Sequence, residues 1–218
     1  MTSYSLVLPA PWVRIPVGKE GDAVIADLVE RSIERASDDV SPDQLAQARI
    51  KLTEMLRSQL KQAEDAGGLD FYLPADLMRG VRISASILVT AVLPDSMAPA
   101  GSVGPVMAEL LRRDPDAKPI TAGDTVWIRT ESVVDHDDAE VLDDEVRGRK
   151  VEYVTAAPDD ERRWYLVAFT TLGDGDPDSE FTGLLVELFD AIMSTWRWSE
   201  DTLARRSQSG EGTHESPD

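Results

Sequence analysis

The sequence predicts an α+β fold in which an antiparallel sheet of about six strands packs between helices. Strand-like segments follow one another without an intervening helix from residue 124 to residue 171. This order favours antiparallel neighbours over a parallel, doubly wound sheet. Helical patterns come before and after these strands, and the last of them is strongly amphipathic. Its apolar residues recur every three or four positions: Phe181, Leu184, Leu185, Leu188, Phe189, Ile192, Met193 and Trp196.

The first third of the chain is predicted to contain two short strands and two helices. The extended segments 4–8 and 12–17 are punctuated by prolines, which restrict their hydrogen bonding. Asp22 is the predicted cap of the first helix. The second helix has a capping box at residues 41–44 and ends at the glycine pair 67–68.

The remaining elements alternate β-branched runs with helical patterns. They are strands at 69–73, 81–93, 124–134, 149–156 and 164–171, and helices at 105–113 and 179–198. The last two strands are separated by a proline–aspartate turn at 158–160, which predicts an antiparallel hairpin. We therefore expect one domain over residues 1–198, followed by a disordered, acidic tail at 199–218.

The charge balance restricts the classes of partner. The chain has 22 basic and 41 acidic residues, a net charge of −19. Such a charge repels phosphate backbones and anionic membrane surfaces, so we expect neither nucleic acid nor a membrane as partner. The first 13 residues contain no basic residue ahead of their short, proline-broken apolar run. This predicts no secretory signal and a cytoplasmic location.

The motifs of several enzyme classes are missing from the sequence. It contains no cysteine, which excludes disulfides, thiolate catalysis and zinc–sulfur sites. It also lacks the Gly-x-Ser-x-Gly elbow of hydrolases, the P-loop and the Gly-x-Gly-x-x-Gly fingerprint. We therefore predict no catalytic residues and no cofactor.

Two acidic segments are low-ranking candidates for a metal site. The first, at 135–145, surrounds a histidine with carboxylates, a combination that suits a divalent cation; its candidate ligands are Asp135, His136 and Asp138. Adjacent acids in one loop rarely direct their oxygens at a single centre, so a solvated loop is the favoured interpretation.

The second acidic segment resembles the first half of an EF-hand loop through Asp174, Asp176 and Asp178. The position that needs glycine is Ser179, and the twelfth position is Leu185 instead of glutamate. We interpret the segment as a helix start in which Asp176 is the cap, and Asp178 and Glu180 complement the helix dipole.

The five tryptophans divide into two groups. Trp127 and Trp196 lie within apolar periodic segments and are predicted to belong to the core. Trp12 and Trp198 lie beside the ends of predicted elements. We predict that they are surface anchors for a protein partner, because exposed aromatic side chains supply large contact areas.

Three segments, 8–17, 163–169 and 181–198, together resemble the PsbP-like superfamily. They combine a proline-then-tryptophan entry into a strand near the start with a last strand that leads into a closing helix. The resemblance implies an αβα sandwich and a binding or adaptor role. The whole chain also resembles acidic, cytosolic actinobacterial proteins associated with type VII secretion. The membrane anchor of related actinobacterial lipoproteins does not carry over, because this chain has no cysteine.

The leading functional hypothesis is a non-enzymatic, cytosolic protein-interaction module. It would act as an adaptor or chaperone-like factor, with a secretion system as one setting. Two alternatives stay open: a divalent-metal-dependent enzyme or metal-binding protein that uses the 135–145 loop, and a carrier of a small ligand.

Overall fold

The computed structural model describes residues 3–36, 40–92, 103–135 and 147–199. Within these ranges, in chain order, the elements are β1 (Tyr4–Ser5), β2 (Trp12–Pro16), α1 (Gly21–Glu34), α2 (Pro42–Asp65), β3 (Gly68–Pro74), β4 (Ala85–Val92), α3 (Val103–Arg113), β5 (Lys118–Ala122), β6 (Thr125–Asp135), β7 (Arg147–Ala157), β8 (Asp160–Thr171), α4 (Glu180–Ser194) and β9 (Arg197–Trp198).

The predicted α+β class is confirmed. Seven of these strands have five or more residues, and the strand pairings of both units are antiparallel. The chain divides into two compact units. We call Pro9–Thr90 the N-terminal unit, and Met1–Leu8 together with Ala91–Asp218 the C-terminal unit. The single domain over 1–198 stays a prediction, and residues 200–218 of the predicted tail lie outside the described residues.

The N-terminal unit packs α1 and α2 on β2 and β3. The central buried side chains are Ile15 from β2, Ile25 and Leu28 from α1, and Leu56 and Leu60 from α2. Each helix thus lays one apolar stripe on the strands, as its periodicity predicts.

The starts of α1 and α2 test two capping predictions. The box at the start of α2 is confirmed: Gln44 N donates to Ser41 Oγ over 3.3 Å, and Ser41 N donates to Gln44 Oε1 over 3.1 Å. The prediction that Asp22 caps α1 was wrong, because the helix already begins at Gly21. Asp22 lies in the first turn, where it pairs with Arg57 at 3.0 Å.

The C-terminal unit contains the antiparallel strands β5, β6, β7 and β8, with helices on both faces. Successive side chains of a strand point to opposite faces. In β7, Tyr153 meets Phe189 of α4, and Val154 packs with Val106 of α3. This arrangement is the predicted sandwich. Strand β5 was not predicted, because its lysine and proline weaken the strand signal, although both are tolerated at a sheet edge.

The end of the described chain differs most from its prediction. The helix predicted to reach residue 198 ends at Ser194, and Trp198 lies in β9, paired with Tyr4 of β1. Tyr4 also stacks on Trp196 with ring centroids 4.2 Å apart. Helical periodicity in one segment carries no information about a strand partner almost 200 residues away, so the sequence did not reveal this ending.

The pairing of β9 with β1 affects the predictions made for the tryptophans. Trp127 and Trp196 are fully buried, as predicted. The expectation that Trp198 is a surface anchor was wrong: its side chain is buried, and its Nε1 donates to Thr125 Oγ1 over 2.8 Å. The Trp198 ring, which was expected to contact a partner, instead packs edge-to-face on the rings of Tyr165 and Trp196.

Replacing Trp198 with alanine should lower the free energy of unfolding by about 3–5 kcal/mol, because it leaves a large cavity. Urea denaturation followed by circular dichroism measures this change. The control is Val126→Ala on β6, whose side chain is 53% exposed and whose loss should cost no more than about 0.5 kcal/mol. Equal effects of the two changes would contradict the burial of Trp198.

Candidate functional site

A chain of alternating charges connects β6 and β7 to the last helix of the C-terminal unit. We call it the arginine–carboxylate network; its members are Arg129, Glu131, Arg149, Asp178 and Asp190. Arg129 and Glu131 are two positions apart in β6, so their side chains share the sheet face that α4 covers. The network therefore lies between the sheet and α4.

Arg129 binds the helix with a forked geometry. Its Nε and Nη2 donate to the two carboxylate oxygens of Asp190 over 3.0 and 3.1 Å. Its Nη2 also lies 2.9 Å from Glu131 Oε2. The Arg129 side chain is only 14% exposed, and paired, charge-assisted hydrogen bonds of this kind are among the strongest in proteins.

Arg149 holds the turn in front of α4. One of its guanidinium nitrogens donates to Glu131 Oε1, and its Nη2 reaches Asp178 Oδ1 at 2.9 Å. Its Nε donates to the carbonyl oxygen of Pro177 over 2.8 Å. A single side chain thus fastens both the backbone and a carboxylate of the turn.

Tyr153 of β7 completes the contacts of the helix carboxylate. Its hydroxyl donates to Asp190 Oδ1 over 2.7 Å. Burial and this hydrogen bond raise the pKa of Tyr153 well above its ordinary value. The phenol therefore keeps its proton at neutral pH.

Glu131 and Arg129 stay charged at neutral pH. Burial alone would raise the pKa of Glu131, but hydrogen bonds from Arg149 and Arg129 outweigh it and keep that pKa below its ordinary value. Burial opposes the charge of Arg129, but its contacts with Asp190 and Glu131 raise its pKa. Both pKa values are thus moved further from neutral pH, whereas acid–base catalysis needs a pKa near the working pH. The arrangement suits the positioning of α4.

The aspartates of the predicted EF-hand-like segment point to separate donors. Asp174 Oδ1 accepts from Ser179 Oγ over 2.6 Å, which lowers the pKa of Asp174. Asp176 Oδ1 accepts from the Asp178 backbone N over 2.9 Å, and Asp178 pairs with Arg149. The segment organises a turn.

The cap of α4 is displaced from its predicted position. Ser179, not Asp176, is the N-cap, and its Oγ accepts from Thr182 N over 3.1 Å. Glu180 is the first residue of the helix, where its charge complements the dipole as predicted. Proline follows Asp176 inside the turn, three residues before the helix begins.

The candidates at 135–145 are described only in part. Asp135 ends β6 and lies 3.3 Å from Arg147 Nε, whereas His136 and Asp138 are outside the described residues. Within the described part of the chain, no three histidine or acidic side chains are placed to hold a metal ion. Trp12, the other predicted anchor, is half-buried, and its Nε1 has no hydrogen-bond partner among the described residues.

The outer face of α4 is partly apolar and carries only negative charge. Leu184 is 54% exposed, and Phe181 and Leu188 on the same side are half-buried. Glu180 and Glu187 are exposed along the other side. Residues 172–196 contain no lysine or arginine. We call the three apolar residues and the two glutamates, Phe181, Leu184, Leu188, Glu180 and Glu187, the outer face of α4.

Neither feature was predicted from the sequence. The periodicity of the last helix predicts that its whole apolar stripe packs on the sheet, but Leu184 points away from the core. Arg129 and Glu131 were not singled out, although they follow Trp127 at alternate positions of the strand β6 and so share its face. Charged residues at the inward positions of such a strand are the signal that would have identified the network.

Comparisons with known proteins leave the family open. No protein-family model and no curated protein matches the chain. A crystal structure of a protein from Bacteroides thetaiotaomicron matches with 10% sequence identity and a TM-score of 0.41. The match covers 62% of this chain and 40% of that one. In the described ranges, no helix is both long and apolar enough to cross a membrane.

Replacing Glu131 with glutamine should lower the free energy of unfolding at pH 7 by about 1–3 kcal/mol, because two arginines lose a charged acceptor. The folded-state pKa of Glu131 lies below the ordinary value of 4.5. Its contribution is therefore present above that pH and is lost as the pH falls through the folded pKa.

The difference between wild type and Glu131→Gln should accordingly shrink on acidification. Urea denaturation from pH 7 down to pH 3 measures it. The control is Glu30→Gln, which removes the exposed pair with Arg49 and should cost less than about 1 kcal/mol. A difference that stays constant with pH would contradict the charge of Glu131 as the cause.

Two glycines in the turn before α4 provide a matched steric test. Gly173 and Gly175 both have left-handed φ angles, of 55° and 94°. A Cβ on Gly173 would lie 1.9 Å from Thr182 Oγ1, whereas a Cβ on Gly175 meets nothing within 4 Å. Gly173→Ala should therefore destabilise the fold by about 1–3 kcal/mol more than Gly175→Ala in thermal or urea denaturation. Equal losses would mean that backbone strain alone is responsible.

Proposed function

We propose that this chain is a non-enzymatic, cytosolic protein-interaction module that acts as an adaptor or chaperone-like factor. The observation that carries the proposal is the outer face of α4. There the exposed Leu184 has two half-buried apolar side chains on one side and two exposed glutamates on the other. Exposed apolar residues beside charge of one sign are typical of surfaces that bind other proteins.

The chemistry of this face favours a basic, amphipathic partner segment. Leu184, Phe181 and Leu188 follow the spacing by which one helix packs on another. Gly183 is exposed, and a Cβ built on it meets nothing within 4 Å, so a partner backbone can approach closely there. Glu180 and Glu187 are placed to pair with lysine or arginine beside the apolar contact.

The arginine–carboxylate network supports the proposal through the rigidity of the helix. Asp190 accepts hydrogen bonds from Arg129 and Tyr153, and Arg149 donates to the backbone of the turn before the helix. A binding surface that is already ordered loses less conformational entropy when its partner arrives. The network thus has a function in this proposal without taking part in chemistry.

The cellular setting rests on the sequence alone. The resemblance to the PsbP-like superfamily and to acidic actinobacterial proteins supports a binding role in the cytoplasm, with type VII secretion as one setting. The net charge of −19 supports a basic protein as partner over nucleic acid.

Leu184→Gln tests the proposal without disturbing the core, because glutamine is a good helix former and the side chain is exposed. In affinity capture from native cytosol, we expect recovery of the specific partner to fall about tenfold, as for the loss of one central apolar contact. Recovery should also fall as the salt concentration is raised from low to high, since the surrounding charges are exposed.

The matched control is Val126→Thr on β6, which is exposed to the same degree and should leave recovery unchanged. Quantitative mass spectrometry compares the three proteins. If no protein is recovered specifically, or if both variants retain it equally, the outer face of α4 is not a docking surface.

A further inference from the structure

A tight hairpin in the N-terminal unit presents arginine and apolar side chains at its tip. Met78 N donates to Val81 O over 2.9 Å, and Val81 N donates to Met78 O over 3.0 Å. The two residues between them, Arg79 and Gly80, have φ angles of 52° and 84°. Positive φ at both central positions is the signature of a type I′ hairpin turn. We call residues 77–82 the hairpin tip.

Arg79 occupies a position that its chemistry does not favour. Asparagine, aspartate and glycine are the usual residues at the first central position of such a turn. In the described part of the chain, Arg79 is the one non-glycine residue with a positive φ. A left-handed backbone is costly for a residue with a Cβ. Strain of this kind concentrates at functional sites, and here the strained residue is an exposed arginine at the tip.

The surface of the hairpin tip is basic and apolar. Leu77 and Val81 are 49% and 48% exposed, and Arg79 and Arg82 are exposed as well. The nearby Asp76 is already paired with Arg35 at 3.0 Å. Within the described residues neither Arg79 nor Arg82 forms an ion pair.

The sequence around the tip reinforces this local charge. No acidic residue occurs from position 77 to position 94, although the chain contains 41 of them. The hairpin tip is therefore a basic and apolar surface on a chain whose net charge is strongly negative.

We propose that the hairpin tip is a second docking surface, and that its occupant is an acidic, amphipathic segment of a protein partner. Arginine pairs bidentately with carboxylates, and the exposed Leu77 and Val81 add apolar contact area at the same tip. Charge complementarity selects this occupant. A second copy of the chain and an anionic membrane are the alternative occupants, and the measurements below test both. With the outer face of α4, the chain then carries two docking surfaces of opposite charge, which lets one adaptor bind two different partners.

Peptide display on the immobilised full chain tests the hairpin with random sequences in place of the partner. A library of peptides about four helical turns long should yield acidic peptides that contain leucine or similar apolar residues. Their binding, measured by fluorescence polarisation, should weaken at least tenfold in Arg79→Glu/Arg82→Glu. The matched control, Lys19→Glu/Lys51→Glu, makes the same change in charge at two exposed lysines of the same unit and should bind as wild type does.

The same selection separates this proposal from the proposed function of α4. Basic peptides whose binding is lost in Leu184→Gln report on α4, and acidic peptides whose binding is lost in the double arginine variant report on the hairpin tip. Failure to enrich acidic peptides, or equal binding by the lysine control and the arginine variant, overturns the hairpin proposal and leaves the α4 proposal standing.

A further variant and two assays of the alternative occupants complete the test. Arg79→Asn should relieve the backbone strain and raise Tm by a few °C, and it should also weaken binding of the acidic peptides. An unchanged or lower Tm, or unchanged binding, counts against the proposal. Analytical ultracentrifugation and flotation with phosphatidylserine vesicles should show a monomer that does not bind lipid. Self-association or vesicle binding that Arg79→Glu/Arg82→Glu abolishes would overturn the proposed occupant.

Discussion

The forked pair between Arg129 and Asp190 is the contact through which the sheet of the C-terminal unit holds its closing helix in one position. The Arg129 side chain is mostly buried, so its charge is tolerated only because carboxylates from both the helix and the strand receive it. Apolar packing of Phe189 on Tyr153 and Phe169 supplies contact area but little directional control. The charged contacts add direction, and Arg149 extends them to the turn before the helix. Together with the buried face of Leu185, Phe189 and Met193, they fix which residues α4 exposes.

This constraint connects the interior to the proposed function. With Asp190 turned toward Arg129, Leu184 faces outward between Phe181 and the acidic side of the helix. The hairpin tip of the N-terminal unit follows the same logic with the opposite charge, since its tight turn holds Arg79 at an exposed position despite the backbone strain. At both surfaces, exposed apolar side chains lie beside charges of one sign that form no ion pair among the described residues.

Local signals in the sequence predicted a large part of the architecture. The capping box at Ser41, the amphipathic stripe of α2 and the hairpin of β7 and β8 each depend on residues close together in the chain, and each is present. The predictions that failed needed a distant partner. Strand β9 exists because Tyr4 and Ser5 pair with it, and Trp198 is buried because Thr125 and Tyr165 are beside it. The arginine–carboxylate network was missed for the same reason, as its members come from β6, β7, α4 and the turn before it.

The sequence by itself determined the α+β class, most helix and strand positions, the burial of Trp127 and Trp196 and the strongly negative charge. These properties follow from periodicity, turn chemistry and composition, which act over a few residues or over the whole chain at once. Only the tertiary structure decided which charges meet, which side of α4 remains exposed and where the chain folds back to form β9. Those outcomes depend on contacts between residues tens to hundreds of positions apart, because pairing of strands and packing of helices bring them together. The candidate docking surfaces belong to this second group, since exposure is a property of the packed chain.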